Sequence, residues 1–482
     1  EISACLVGSE MCIRDSKGRY LIETSGRYDG SSKFPVNEMW GFFPSASAAW
    51  RISEEKFMEG TRSWLDNLKL RFSVGALGNG NVDPYKFLPT MSIDKTGVIV
   101  GDGQVNYTSY PGLIPNNLTW EKVTTYDVGV DVDMFKNRLT IGFDWYRRNT
   151  TDMYTVGPTL PEVLGTTQPK GNYANLKTKG WELTLSWRDN FKLAGSDFHY
   201  GVKFMLWDSQ SWITKYNNAT GKLSDYYEGY RIGDIWGYNI EGLFTSYDEI
   251  ANHADQDYIK ISDSKIWQPG DLKFADLNGD GKIDKGAQTL SDHGDLVIVG
   301  NEEERYHYGF NLNVGWKGIG ISAFFQGVGK RDWYPGQETG FFWGKYNRPY
   351  GYSLKMHENR WTEENPNPNA YWPRLVGYSS ENGGRPMGTP NNRYMQDASY
   401  LRLKALTVDY SLPQAWVSKL GLTGLKIYFT GENLFTFSNI CENFDPEVIK
   451  GGDVDLKDRK GEEQGYSYPM LKTYTVGLNV SF

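Results

Sequence analysis

Hydrophobic and polar residues alternate with a period of two along much of the chain. The stretch VTTYDVGVDVDMFKNRLTIGFDWYRRNTTDM places apolar residues at every second position on both sides of a tight turn at Lys136 and Asn137. Successive side chains of a strand point to opposite faces of a sheet, so this stretch predicts an antiparallel hairpin with one apolar face. The same alternation recurs at 181–187, 198–204, 306–316 and 476–482, whereas helical periodicity is nearly absent.

About twelve strands follow from this alternation and from the turn residues between the alternating segments. Most of them are longer than the five or six residues usual in soluble sheets, and they match the length that a tilted strand needs to cross a bilayer. The predicted strands are 17–29, 40–52, 64–78, 118–134, 138–152, 174–189, 197–216, 305–317, 319–330, 398–412, 425–435 and 468–482.

The connections between these strands alternate in length. Those after the even-numbered strands are short, and those after the third and later odd-numbered strands are long, with the principal long loops at 217–304, 331–397 and 436–467. Neighbouring antiparallel strands run in opposite directions, so this parity predicts that the long loops lie on one side of a single sheet. Outer-membrane barrels have short periplasmic turns and long extracellular loops. The predicted fold class is therefore all-β, an antiparallel transmembrane β-barrel.

Composition agrees with a barrel and argues against other classes. Aromatic residues make up 15% of the chain while hydrophobic residues total only 39%, and the mean hydropathy is −0.56. Barrel strands need only alternating hydrophobicity, with aromatic belts at the membrane interfaces. No apolar run of about 18 residues predicts a transmembrane helix. The net charge of −8 disfavours a nucleic-acid-binding surface, and three scattered cysteines cannot build a disulfide framework.

One loop has the ligand spacing of a calcium site. Ala287 replaces the bidentate Glu that an EF-hand needs, and no helical pattern flanks the loop, so it is not an EF-hand. The remaining ligand is expected from Asp292 or Asp295, and the ion is expected to be structural. The alternative is a solvated, Asx-rich turn. The predicted ligands at places one, three, five, seven and nine are Asp276, Asn278, Asp280, the carbonyl of Lys282 and Asp284.

The two ends of the chain carry different kinds of information. Residues 1–16 contain two of the three cysteines, differ in composition from the rest, and resemble a translated adaptor sequence, so we expect them to be non-native. Residues 17–482 are then expected to be the C-terminal part of a longer protein. The last segment, TYTVGLNVSF, alternates up to the terminal Phe482 and resembles an outer-membrane assembly signal.

Several stretches resemble, in order along the chain, the C-terminal barrel portion of the SusC/RagA family of TonB-linked outer-membrane transporters. They cover the chain from about residue 20 to its end. These stretches are RYDGSSKF, WGFFPSASAAWRIS, LKLRFSVGALGN, YDVGVDVDMFKNRLTIGFDWYRRNTTDM, GYRIGDIWGYNIEGLFTS, PGDLKFADLNGDGKID, GDLVIVGN, YLRLKALTVDYSLP and IYFTGENLFTFS.

The resemblance implies a function and a set of partners. The family barrel has 22 strands around an N-terminal plug, so this chain corresponds to about the last twelve strands, without the plug. The resemblance implies import of an oligosaccharide or peptide across the bacterial outer membrane. It also implies two partners: a SusD-like surface lipoprotein that acts as a lid, and TonB, which would couple energy through a contact with the N-terminal part. The calcium-type loop would be scaffolding in an extracellular loop, and no covalent chemistry is implied.

An aromatic cluster in the loop after the ninth predicted strand is a candidate contact surface for substrate or lid, and the alternative is a loop packed on itself. Its members are Trp333, Tyr334, Phe341, Phe342, Trp343, Tyr346 and Tyr350.

Enzyme signatures are missing, since the sequence contains no HExxH, GxSxG or P-loop motif. The competing function from another class is a secreted β-rich protein that binds glycans, or a glycosidase, with a calcium-binding loop. Extraction into detergent favours the barrel, and glycan hydrolysis by a soluble protein favours the alternative.

Overall fold

The computed structural model of the chain describes residues 9–16, 18–115, 118–158, 160–166, 168–259, 266–336, 339–346, 351–375, 389–449 and 467–482. Strands dominate this part of the chain. The strands before residue 220 are β1 (Ser9–Ser16), β2 (Tyr20–Gly30), β3 (Trp40–Arg51), β4 (Leu65–Asn79), β5 (Ile93–Val100), β6 (Gly103–Thr108), β7 (Glu121–Met134), β8 (Leu139–Val156), β9 (Lys170–Leu193) and β10 (Ser196–Lys215).

The remaining strands include six short ones inside long connections. They are β11 (Asp234–Gly237), β12 (Ile240–Leu243), β13 (Leu272–Phe274), β14 (Val297–Asn301), β15 (Arg305–Trp316), β16 (Ile319–Lys330), β17 (Asp332–Trp333), β18 (Gln396–Asp397), β19 (Tyr400–Ser411), β20 (Gly424–Ser438) and β21 (Thr473–Ser481).

Helices are short in the described residues. The α-helices are α1 (Tyr247–Ala251), α2 (Gly340–Trp343) and α3 (Gln414–Val417), and 3-10 turns occur at Ile52–Glu54, Lys56–Thr61, Glu162–Leu164, Asp257–Ile259, Gly344–Tyr346, Lys355–Glu358 and Ser418–Leu420. Within the described ranges, no helix combines the length and the apolar character needed to cross a membrane.

The chain divides into two compact units. The first comprises the described residues within Glu1–Ser186, Trp207–Thr220 and Asp225–Arg231, and the second those within Trp187–Leu206, Gly221–Ser224 and Ile232–Phe482. In the first unit, β1, β2, β3, β4, β7, β8 and β9 are neighbours in that order. In the second unit the order is β15, β16, β19, β20 and β21. The strands thus follow one another in a meander in which chain neighbours, apart from the inserted short strands, are also sheet neighbours.

All twelve predicted strands are present, with ends shifted by a few residues. The register confirms antiparallel pairing in β2–β3, β3–β4, β4–β7 and β7–β8 of the first unit, and in β15–β16, β16–β19, β19–β20 and β20–β21 of the second. Within each unit, short and long connections therefore leave from opposite ends of the sheet, as their parity predicts. In addition, β1 pairs with β2, although residues 1–16 were expected to be non-native.

The described parts of the first two long loops contain short strands and helices. The 217–304 loop contains β11 to β14 and α1, and the 331–397 loop contains β17, α2 and β18. The predicted start of the third loop at residue 436 is three residues early, because β20 continues to Ser438. Much of this loop, 450–466, lies outside the described residues.

Segments of the three long loops that belong to the second unit share one hydrophobic core, which we call the loop cluster. Large aromatic side chains from several segments together supply much of its apolar area. Tyr346 and Tyr394 both stack on the fully buried Trp372, at ring-centroid distances of 5.1 and 5.2 Å. Core residues from the three loops include Tyr238, Leu272, Phe274, Ile283, Phe342, Trp343, Tyr346, Trp372, Tyr394, Ile440, Phe444 and Ile449.

His357 is held neutral inside the loop cluster. The Leu354 backbone N–H donates to Nδ1 at 2.8 Å, so the ring proton lies on Nε2, which donates to the Phe342 carbonyl at 2.7 Å. Burial lowers the pKa of His357, with the Arg360 charge acting in the same direction. Gly344 makes room for the ring, since it adopts a φ of 52° and an added Cβ would lie 2.8 Å from His357 Cε1.

This geometry predicts that the loop cluster loses stability in acid. The unfolded histidine takes up a proton below a pKa of about 6.5, whereas the buried one resists protonation, so the contribution of His357 is complete above that pH and declines as pH falls. The expected slope is at most about 1.4 kcal/mol per pH unit. Denaturant unfolding followed by tryptophan fluorescence measures it.

The His357→Gln variant is the matched comparison, because glutamine stays neutral throughout this range. Its unfolding free energy should vary less steeply with pH than that of the wild type. Equal slopes in the two proteins would mean that His357 does not control the acid sensitivity.

Candidate functional site

Exposed apolar side chains form continuous rows on one face of the second unit's sheet. Residues directly opposite in antiparallel strands share a face. Two adjacent rows each cross four neighbouring strands in register, and every residue in both rows is exposed. The rows are Ile319, Tyr410, Ile427 and Leu478, and then Ile321, Val408, Phe429 and Val476.

The other face of the same strands is polar or small. The Thr407 and Thr430 hydroxyls lie 2.9 Å apart, and Lys426 pairs with Asp409 at 2.9 Å. The Tyr428 ring occupies the space above Gly477, where an added Cβ would clash with it. The rows on this face are Gly320, Asp409, Tyr428 and Gly477, and then Ser322, Thr407, Thr430 and Thr475. This sheet therefore has an apolar and a polar side.

The first unit has the same two-faced construction. Its apolar rows cross β2, β3, β4, β7 and β8, and their largest aromatic side chains are exposed. These rows are Tyr20, Trp50, Leu70, Val130 and Phe143, and then Ile22, Ala48, Phe72, Val128 and Trp145.

An ion cluster crosses three strands on the polar face of the first unit. Arg71 on β4 donates to Asp131 on β7 at 2.8 and 2.9 Å, and it pairs with Asp144 on β8 at 2.8 Å. The guanidinium lies over Gly129, where an added Cβ would be 2.7 Å from Arg71 Cζ. A charged cluster of this kind suits a watery interior and not a hydrocarbon surface.

Aromatic pairs mark both ends of the β2–β3 hairpin. Tyr20 stacks on Trp50 at one end, and Tyr28 stacks on Trp40 at the other, at ring-centroid distances of 6.4 and 5.1 Å. Glu55 accepts hydrogen bonds from the Tyr20 hydroxyl at 2.6 Å and the Trp50 indole at 3.2 Å. The segment from Tyr20 to Tyr28 is close to the roughly 9–11 residues that a tilted strand uses to cross the hydrocarbon core. Paired aromatic belts are typical of the two membrane interfaces.

The predicted aromatic contact residues lie mostly inside the loop cluster. Trp333, Phe342, Trp343 and Tyr346 are buried there. Tyr334 is half-buried, with its hydroxyl accepting a 2.8 Å hydrogen bond from Asn391. Most residues of the predicted aromatic cluster are therefore packed inside the loop cluster.

Exposed surface remains on two of the predicted contact residues, Tyr334 and Phe341, and Phe341 is 43% exposed. Tyr350 lies outside the described residues.

The calcium-type loop is closed by hydrogen bonds from its own backbone. Asp276 accepts from the N–H groups of Gly279 and Gly281 at 2.7 and 2.9 Å. Asn278 and Asp280 each accept from the N–H two residues on, at 2.9 and 2.8 Å, and the Asp284 carboxylate accepts from Gly286 at 2.7 Å. Across the described residues, no group of three or more His, Cys, Asp or Glu side chains is arranged so that it could hold a metal ion.

Asp295 pins the two sides of this loop together. It is fully buried, and its oxygens accept from the N–H groups of Leu277 at 2.7 Å and Asp284 at 2.9 Å. Asp292 instead accepts from the Ala287 N–H at 3.0 Å. The Lys282 backbone bridges to Asp255, and the neighbouring Ile283 is fully buried in the loop cluster. The loop is thus fixed to the cluster on several sides, whatever occupies it.

Sequence reasoning missed a group of buried ion pairs next to the loop cluster. Arg402, near the start of β19, is 2% exposed and pairs with Asp445 at 2.6 Å and Glu447 at 2.5 Å. A usable signal was present, because the segment YLRLKAL places basic residues between leucines in a strand that otherwise carries few charges.

Comparison with known proteins places this geometry in a family. The family model described as TonB dependent receptor-like, beta-barrel matches residues 15–434. TonB-dependent receptor P3 of Formosa agariphila is 29% identical over 479 residues, covering 96% of this chain and 44% of the relative. TonB-dependent receptor P26 of the same organism is 30% identical, with 97% and 45% covered. TonB-dependent receptor SusC of Bacteroides thetaiotaomicron is 27% identical, with 96% and 42% covered.

Solved structures agree on the fold. A structure of the RagAB peptide transporter matches with a TM-score of 0.70 at 23% identity, covering 96% of this chain and 46% of that one. The RagAB peptide importer in its closed-closed state matches with a TM-score of 0.72 at 22% identity, with 96% and 46% covered. The chain spans less than half the length of these relatives.

The two-faced antiparallel strands and the family match lead to the same conclusion. The chain belongs to the TonB-dependent receptor-like β-barrel family, whose members are outer-membrane proteins and not enzymes.

Proposed function

We propose that this chain supplies wall strands and outer loops of a TonB-dependent importer in the bacterial outer membrane. The observation that carries the proposal is the pair of in-register apolar rows across β16, β19, β20 and β21, with a polar face behind them. An exposed apolar surface of this extent is unfavourable in water and suited to lipid. The polar face would line the aqueous interior.

The whole transporter would need strands beyond this chain. In hydrocarbon every unpaired backbone N–H or C=O costs several kcal/mol, so a sheet that spans a membrane must close into a barrel. Since the chain covers less than half of its relatives, we propose that it corresponds to about the last twelve of 22 strands. The plug and the TonB contact would belong to the rest of the protein.

The cargo and the lid partner follow from the kinship. We propose a large nutrient, an oligosaccharide or a peptide, and a SusD-like surface lipoprotein that covers the loop cluster. The support is the relative named SusC and the fold shared with the RagAB peptide transporter. Direct contact is proposed for Phe341 and Tyr334, which retain exposed surface, while the buried Trp333, Phe342, Trp343 and Tyr346 would hold that surface rigid.

A structural calcium ion in the 276–295 loop is part of this proposal. Each carboxylate has about four lone-pair sites, so an Asp that accepts one or two backbone N–H groups keeps capacity for a cation. Binding would require several carboxylates to turn toward a common centre. Asp292 is the more available additional ligand, because both oxygens of Asp295 already accept backbone hydrogen bonds. The ligands proposed are Asp276, Asn278, Asp280, the Lys282 carbonyl, Asp284, and Asp292 or Asp295.

Two neighbouring substitutions on β21 test the lipid-facing assignment. Val476→Lys places a charge in an apolar row and should reduce the stability of the whole protein in lipid by about 2–4 kcal/mol. Thr475→Lys, one residue away on the polar face, should cost less than about 1 kcal/mol, because a lumen-facing charge stays hydrated. Denaturant titration in vesicles measures both, and equal losses would contradict the assignment of faces.

Calorimetry on the whole protein tests the calcium loop. Calcium should bind with a measurable heat, and Asp280→Asn should weaken binding at least about tenfold by removing a ligand charge. Asp248→Asn on α1 is the control, since it removes an exposed carboxylate outside the loop. The calcium proposal fails if the wild type shows no binding, or if the two variants bind equally.

Growth experiments test the import function. Cells in which the gene for the whole protein is disrupted should lose growth on one oligosaccharide or peptide source, while growth on its monomers is unchanged, because monomers pass through general porins. Reintroducing the intact gene should restore growth. Unimpaired growth on every large nutrient, together with glycan hydrolysis by the purified protein, would favour the secreted glycan-active alternative.

A further inference from the structure

A short acidic segment in the connection between β20 and β21 joins the loop cluster to the sheet of the second unit. Asp445 and Glu447 both bond the Arg402 guanidinium, at 2.6 and 2.5 Å. Between them, the Pro446 carbonyl accepts from Arg331 at 3.1 Å. Basic side chains from β19 and from the residue that follows β16 therefore hold three consecutive residues of one loop.

The Arg402 charge needs these partners. Its side chain is almost completely buried, and a buried guanidinium that loses its carboxylates keeps a large desolvation cost. The Thr436 hydroxyl accepts from Arg402 Nε at 2.8 Å but supplies no charge. Asp445 and Glu447 of the acidic segment thus provide the two negative charges closest to Arg402.

An irregularity in the sheet brings a second cation to the same place. The register between β16 and β19 shifts at Phe324 and Phe325, which leaves Lys404 as an extra residue in β19. Opposite it, β20 carries Asn433 with a φ of 51°. Lys404 reaches Glu447 at 2.8 Å, so both oxygens of that carboxylate are paired. Bulges commonly redirect side chains in this way at barrel rims.

Arg331 completes a charge-balanced group. It is buried and pairs with Glu304 at 2.9 Å as well as with the Pro446 carbonyl. Three cations, Arg331, Arg402 and Lys404, thus face three carboxylates, those of Glu304, Asp445 and Glu447. The Arg331 Nε atom has no hydrogen-bond partner, so one polar atom of this buried group stays unpaired even though all its ion pairs are formed.

On either side of the acidic segment, the same loop is anchored by apolar side chains. Ile440, Phe444 and Ile449 are buried in the loop cluster, and Phe444 lies against Trp333 at a ring-centroid distance of 4.9 Å. Residues 439–449 therefore contact the sheet mainly through charges and the loop cluster through apolar packing. No strand pairing fixes this segment, in contrast to β20 before it.

We propose that residues 439–449 form an ionic strap that fastens the loop cluster to the sheet and detaches as a unit, while β19 and β20 stay paired. The closed state depends on Asp445 and Glu447. The open state uncovers three apolar residues and the basic side chains of Arg331 and Arg402, so it presents a different outer surface from the closed one. The strap rests on this geometry alone and holds or fails independently of the proposed import.

Cys441 is a natural reporter of strap opening. It lies inside the strap, is half-buried, and its sulfur contacts Met356 Sδ at 3.4 Å. Burial raises the pKa of the Cys441 thiol. Since the thiolate is the reactive form, alkylation is slow while the strap is closed and fast when it opens.

The test measures iodoacetamide labelling of Cys441 in the whole protein in detergent, resolved by peptide mass spectrometry. The Asp445→Asn, Glu447→Gln double variant should label about 100-fold faster than the wild type, because it leaves Arg402 buried without its counter-charges. Amide exchange across β19 should not change. Asp409→Asn is the control, since it removes a carboxylate paired with Lys426 elsewhere on the same strand.

Two results would overturn the strap. One is a double variant that labels no faster than the Asp409→Asn control. The other is faster labelling accompanied by an equal loss of amide protection in β19, since the segment would then not detach as a unit. If the double variant does not fold, Lys404→Gln decides, because Lys404 is the least buried of the three cations in the group. It should accelerate labelling about tenfold, and an unchanged rate would refute the proposal.

Discussion

The structure depends on one constraint, that backbone groups next to hydrocarbon must pair within the protein. Long antiparallel strands meet it, because each interior strand exchanges hydrogen bonds with neighbours on both sides. The period-two alternation then places every second side chain on one face of the sheet and the others on the opposite face. In the second unit this places Ile427 and Phe429 on one face of β20 and Lys426 and Tyr428 on the other. The same strands therefore present an apolar face and a polar face.

The loop cluster is stabilised by different means, because it lies outside the long sheet strands and its own strands pair only as short two-stranded ladders. Its interior is filled by aromatic rings around Trp372, and some of its buried polar groups, such as His357 and Asp295, are satisfied by nearby backbone groups. Its attachment to the sheet includes the buried charges of Arg331 and Arg402. The sheet and the loop cluster are therefore stabilised by separate sets of interactions.

The long sheet strands were predictable from the sequence, whereas the packing of the loop cluster was not. Alternation is a local property, so the strands at 40–52 or 319–330 could be located almost to the residue. The loops pack through contacts distant in sequence, such as Trp343 with Tyr394, and composition alone cannot tell a buried aromatic from an exposed one. The calcium-type loop stays a prediction: its spacing indicates a cation, and its hydrogen bonds show a turn closed by its own backbone.

The central claim is that alternate residues of these strands face lipid, and site-directed spin labelling tests it most directly. Single labels at positions 425–430 of β20 in the whole, lipid-embedded protein report collisions with oxygen, which concentrates in hydrocarbon, and with a water-soluble nickel complex. Labels at 425, 427 and 429 should collide mainly with oxygen, and labels at 426, 428 and 430 mainly with nickel, giving a period of two. Uniform access of the nickel complex to all six positions would contradict the account.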